Sequence, residues 1–168
     1  FKLQIYTYFS CPNFGVYYNI KQFEGFMIIS RFSIIPECNL LIEYYAGKVS
    51  LSHFLELKKQ EALHPYYSPS LSVITDIRNV DYHVFEKQYL EQFVNFIKQN
   101  NTYNAKRKTI IITQTPNQVV WAQLFDEFIR EIGVFVRTVT SPKSAYAWLH
   151  IPLEHVSLVE DEMKKLMI

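Results

Sequence analysis

The sequence predicts an α/β domain: a mixed, mostly parallel sheet with an antiparallel hairpin at one edge and helices packed on the sheet. Three observations carry this. Two β-rich runs, "IISRFSIIP" and "NLLIEYYAGKV", are separated by little more than Glu37-Cys38, a hairpin spacing. Beyond them, short apolar runs alternate with segments whose apolar residues recur at helical spacing. That alternation demands parallel strands joined by right-handed crossovers. Finally, the helical segments open and close at residues that satisfy helix ends.

The elements follow in order. Gly47 precedes Ser50, an N-cap for a helix whose expected apolar face is Leu51, Phe54, Leu55 and Ala62. "HPYYSPS" ends that helix with two prolines. "LSVIT" has the uninterrupted apolar character of a strand covered on both faces. Phe85, Tyr89, Phe93, Phe96 and Ile97 set a second helix, closed by "KQNNTYN", and "TIIIT" is the next buried strand. Thr115-Pro116-Asn117-Gln118 is the sharpest boundary: an N-cap Thr, Pro at the first helical position, and Gln placed to complete a capping box. Val120, Trp121, Leu124, Phe125, Phe128 and Ile129 are the expected core face of that helix, with Gly133 as its C-terminal cap. "VFVRTVT" is a strand, Ser141-Pro142 caps a short helix bearing Ala145, Trp148 and Leu149, and Val156, Val159, Met163 and Leu166 form the stripe of a last helix.

Residues 1–26 differ in character, being dense in Phe and Tyr. "LQIYTYF" and "FGVYYNI" flank a Cys-Pro-Asn turn, which suggests a hairpin. The expected organisation is an aromatic extension over 1–26, an α/β domain over 27–150, and a C-terminal helix over 151–168.

At 168 residues the chain suits one domain, and 49% apolar with 20% charged residues is the balance of a globular protein. Seventeen basic against sixteen acidic side chains, net +1, argue against a nucleic-acid binder. The local cluster Lys106-Arg107-Lys108 reads as a solvated loop. Cys11 and Cys38 are too few for a disulfide scaffold and lack metal-ligand spacing, so free thiols and a cytoplasmic location are expected. No apolar run is long enough for a membrane span, and the N-terminal stretch lacks a signal-peptide pattern.

Open α/β sheets meet ligands and partners at the carboxyl ends of their strands. "VITDIRNVDYH" marks one such exit, with Asp76, Arg78 and Asp81 following a buried run. Thr113, Thr115, Asn117 and Lys143 converge from neighbouring exits, giving a polar rim suited to a small anion or to a partner's backbone. The plainer expectation is that Asp76 and Arg78 pair with each other and that Thr115 only caps its helix. The trio Asp76, Thr113 and Lys143 also mimics receiver domains, but the hairpin start and the lack of a second acid pair for Mg²⁺ argue against that reading. The five His residues show no paired metal spacing, and His64, just before Pro65 in a helix-ending loop, is expected at the surface. No nucleophile elbow or phosphate-cradling loop occurs, so neither catalysis nor a cofactor nor a metal is expected.

The element order, together with "IPECNLLIEYYAGKVSLSHFL", "VITDIRNVDY" and "AYAWL", resembles the STAS fold of sulfate transporters and anti-sigma-factor antagonists, in particular its small stand-alone bacterial proteins. The resemblance spans roughly residues 28–150. It implies a non-catalytic regulatory domain that works by protein–protein interaction. Antagonists of this kind present a phosphorylatable Ser at the start of the helix after the central strand. Here Asp76 and Val80 match, but Asp81 is followed by "YHVFEKQ", with no Ser, Thr or Gly. The implied domain therefore lacks the phosphorylation switch, which needs a hydroxyl at a helix start.

Two functional readings follow. One is a protein-interaction domain using the strand-exit edge; the other is a sensor holding a small ligand or lipid in a cavity between sheet and helices. Tyr44, Tyr45, Tyr66, Tyr67, Tyr82 and Tyr89 are candidates to line a groove or a homodimer interface.

Overall fold

The computed structural model describes residues 17–23, 26–81, 87–100 and 107–168. The order is β1 (Tyr17–Phe23), β2 (Phe26–Ile35), β3 (Leu40–Gly47), α1 (Leu51–Ala62), β4 (Ser72–Val80), α2 (Lys87–Asn100), β5 (Lys108–Ile112), α3 (Pro116–Arg130), β6 (Phe135–Val139), α4 (Pro142–Leu149) and α5 (Leu153–Met167). The strands form one sheet in sequence order, β1 to β6. β1, β2 and β3 pair antiparallel, while β3 to β6 pair parallel through α1, α2 and α3. The α/β class, the mixed and mostly parallel sheet, and the hairpin beside it are as the sequence predicts.

The β2–β3 turn is a short 3-10 segment, Pro36–Cys38, closed by Asn39 at φ 48°. Asn tolerates that left-handed backbone because its short side chain can bond locally. β1 extends the sheet beyond this hairpin, pairing from Tyr17↔Phe32 to Phe23↔Phe26. The Cys-Pro-Asn turn, Cys11, Tyr82, His83 and Phe85 lie outside the described residues.

The sheet is covered on both faces, so alternate strand residues enter two separate cores. One core, beneath α1, α2 and α3, joins Phe32, Leu41, Tyr45, Val73, Ile77 and Ile111 to Phe54, Phe93, Trp121 and Phe125. The other joins Ile29, Ile42, Tyr44, Ile74, Ile110 and Ile112 to Ala145, Tyr146, Val159, Met163 and Leu166 of α4 and α5. Helix α5 is pinned to β2 by buried polar contacts: Arg31 donates to the Leu166 carbonyl at 2.9 Å, and Ser33 donates to Glu162 at 2.9 Å.

Several expectations are corrected. Arg107 is no solvated loop residue; it is 1% exposed, while Lys108 is exposed at the start of β5. Val120 and Leu124 are on the solvent side of α3, at 56% and 43% exposure, and Ala122 takes the core position between them. Ala62 is exposed, and the buried face of α1 instead includes Lys58 and Glu61. Of the tyrosines, Tyr44 and Tyr45 are core residues, Tyr67 and Tyr89 are half-buried, and Tyr66 is exposed.

Candidate functional site

The strand-exit edge divides by face. Between Tyr44 and Ala46 of β3 the register opposite β4 advances from Asp76 to Asn79, so β4 carries an extra residue there. Such a bulge breaks strict alternation and re-aims side chains. Asp76 and Arg78 lie on the α4/α5 side, and Asn79 donates to the Tyr44 hydroxyl of that same side at 2.9 Å.

Asp76 is almost wholly buried and is fully engaged with Arg78. Its Oδ1 accepts from the Arg78 backbone N–H at 3.2 Å and from Nε at 2.9 Å, and its Oδ2 accepts from NH2 at 2.7 Å. This two-pronged pairing is the strong form of a charge-assisted contact. It raises the Arg78 guanidinium further above its ordinary value, through hydrogen bonding and charge that outweigh partial burial. Nearby Tyr146 donates to the Met163 sulfur at 3.2 Å, and burial, reinforced by Glu160, pushes its hydroxyl up to about 12. Asp76→Ala removes three hydrogen bonds and leaves a half-buried cation. We expect a loss of about 2–3 kcal/mol, with Asp76→Asn intermediate, read from urea denaturation.

The other predicted residues are brought to this edge in different ways. Thr113 is fully buried, its hydroxyl donating to the Val139 carbonyl at 3.3 Å, so it ties β5 to the end of β6. Thr115 caps α3, accepting from the Gln118 N–H at 3.4 Å. Asp81, Asn117 and Lys143 are exposed. Arg78, Asn79, Asp81, Thr115 and Asn117 meet around an open cleft of about 420 Å³, whereas Asp76 lies behind it and Lys143 is not among its lining residues.

Gln118, read in the sequence only as a cap, is the centre of this edge. Its Oε1 accepts from Gln114 and Thr115 N–H groups at 2.6 and 3.2 Å, while its Nε2 donates to the Arg78 and Val80 carbonyls at 3.1 and 3.2 Å. One buried amide thus clamps the α3 N-terminus to the exit of β4. Gln118→Ala is expected to cost about 1–3 kcal/mol and to lower hydrogen-exchange protection at Gln114 and Thr115 first.

A second polar cluster, not anticipated as a site, lies inside the α1-side core. Lys58 pairs with Glu43 of β3 and with Glu61 at 3.0 Å, and Thr75 donates to Glu43 at 3.1 Å. All four are buried. Desolvation, then the neighbouring Glu43 charge, pushes the Glu61 carboxyl up to about 8 against the opposing pull of Lys58 and Arg107. Beside this cluster is a cavity of about 30 Å³, bounded by Phe54, Phe93, Trp121 and Phe125 as well as Glu43 and Lys58. Ligand pockets run to about 300–1,000 Å³; this one suits a water molecule.

Two histidines, His53 and His64, have structural roles. His53 caps α1 through Nδ1, accepting the Ser50 N–H at 3.1 Å. His64, expected at the surface, is buried against Phe32, and burial lowers its imidazole below the ordinary value. Burial, then the charge of Glu37, raises the half-exposed Cys38 thiol, the opposite of what an activated nucleophile needs. Among the described residues no group of three His, Cys, Asp or Glu side chains is placed to hold a metal ion, and no helix is long and apolar enough to cross a membrane.

No protein-family model matches the chain, and no curated protein matches it. Among solved structures it is similar to an uncharacterised protein of the DUF3478 family with a SpoIIAA-like fold from Shewanella loihica. The identity is 14% over 84% of this chain and 98% of that one, with a TM-score of 0.47.

Proposed function

We propose that this chain is a STAS-like, non-catalytic regulatory domain that binds a protein partner at the strand-exit edge without a phosphorylatable Ser. The observation that carries the reading is the contrast between its two polar centres. The cluster in the core borders a cavity of only about 30 Å³, whereas the β4 exit opens into a cleft of about 420 Å³ whose floor is held by Asp76 and Gln118. A rigid polar floor with exposed Asp81 and Asn117 on its rim suits a partner's loop or backbone, because its own groups need no reordering on binding. The alternative, an apolar-cavity sensor for a small ligand or lipid, would need far more volume than the cavity of about 30 Å³ that the described residues enclose beside Lys58.

The test is site-directed cross-linking in the cells that make the protein. A photo-reactive amino acid at position 117 is expected to trap a discrete protein product, and the same group at Lys164, exposed on α5, is expected to trap none. Equal products from both positions, or none from position 117, would sink the reading.

A further inference from the structure

β6 is the last strand of the sheet, and no described residue pairs with its outer side. The Phe135 N–H donates to the Arg107 carbonyl and the Val139 carbonyl accepts from Thr113, so Phe135, Arg137 and Val139 turn their backbone groups toward β5. By the alternation of a strand, the N–H and C=O groups of Val136 and Thr138 point outward. On the α4/α5 side this edge carries an aromatic and cationic surface. Phe135 is 66% exposed, and Lys108 and Arg137 lie over the Trp148 ring at 5.7 and 5.9 Å. Neither cation has a carboxylate partner among the described residues.

We propose that the outer edge of β6 receives an extended, acidic segment of a partner protein as an added strand. The backbone of Val136 and Thr138 supplies the ladder, and the alternation of the incoming strand places its Asp or Glu side chains beside Arg137 and Lys108. Charge decides the occupant. In a second copy of this chain, the antiparallel pairing that uses both Val136 and Thr138 sets Arg137 directly opposite its own twin, a destabilising like-charge pair. Residues 1–16 of a second copy contain Lys2 and no Asp or Glu, so they offer no complement either. This surface is separate from the Arg78 cleft, and the proposal stands or falls independently of that one.

The test is selection of random nine-residue peptides displayed on phage against the full chain, followed by titration of the enriched peptides using Trp148 fluorescence. The expected result is enrichment of Asp or Glu at alternate positions and binding that weakens as salt rises. Thr138→Pro removes one outward N–H without touching the β5 ladder and is expected to weaken binding at least tenfold while the circular dichroism spectrum and melting temperature hold. Arg137→Glu is expected to reverse the preference toward Lys-bearing peptides, a readout that simple unfolding cannot mimic. Enrichment without acidic residues, no enrichment, or binding indifferent to both substitutions would overturn the proposal. A wild-type dimer that Thr138→Pro dissociates would overturn it in favour of a second copy.

Discussion

Lys58→Met is expected to destabilise the fold by about 3–5 kcal/mol, the range seen when one member of a buried ionic cluster is removed and its partners stay behind. The apolar stem of Met replaces that of Lys, so packing changes little. What is lost is a cation that pairs with both Glu43 and Glu61, two carboxyls at 2% and 0% exposure on facing elements. Thr75 still donates to Glu43, but a hydroxyl does not offset a buried charge. Urea denaturation measures the loss. The triple variant Lys58→Met, Glu43→Gln, Glu61→Gln is expected to recover most of it, because neutral amides need no counter-charge. A Lys58→Met protein as stable as wild type would show that these carboxyls are not buried together.

The same cluster dictates a pH dependence. Glu61 titrates near its ordinary value of 4.5 when unfolded and near about 8 when folded, so the folded state holds that proton more tightly. Its contribution to stability is fully present below about pH 4.5 and is lost as pH rises through about 8. Between those limits it lowers stability with a slope approaching about 1.4 kcal/mol per pH unit. Glu61→Gln is expected to remove this slope and to be more stable than wild type above pH 8. Chemical denaturation of both proteins from pH 5 to pH 9 reads it directly: parallel curves for wild type and variant would contradict the assignment.

What could be read in the sequence was what local chemistry decides. Thr115-Pro116-Asn117-Gln118 and Ser50 announce helix starts because capping is settled within four residues, and both caps form as expected. The hairpin, the alternation of strand and helix, and the pairing of Asp76 with Arg78 are equally short-range. Burial of polar residues was not legible. β3 is buried from Leu40 to Tyr45 on both faces, so apolar alternation gives no parity by which to place Glu43. Lys58 and Glu61 follow helical spacing, but only the arrival of Glu43 opposite them explains why charged residues occupy that face. Charge and loop position mark Arg107 and His64 as surface residues, and tertiary packing overrides both. Val120 and Leu124 show the converse. An apolar stripe wider than the sheet contact leaves its margin in solvent, and the signal for which margin lies in the sheet and not in the helix.

The exit site divides in the same way. Asp76, Thr113 and Thr115 were recognisable as strand-end residues, while the second role of Gln118, joining α3 to the Arg78 and Val80 carbonyls, depends on a contact across about forty residues of chain. That clamp gives the cleft its fixed floor, on which the proposed partner binding rests.

The most direct test of that reading is native mass spectrometry of the full chain purified gently from the cells that make it, with Asn117→Arg alongside. Wild type is expected to appear with a protein partner and no retained small molecule, and Asn117→Arg, which fills the cleft rim without touching the core, is expected to appear without that partner. A bound lipid or metabolite carried equally by both proteins would contradict the account and return attention to the cavity beside Lys58.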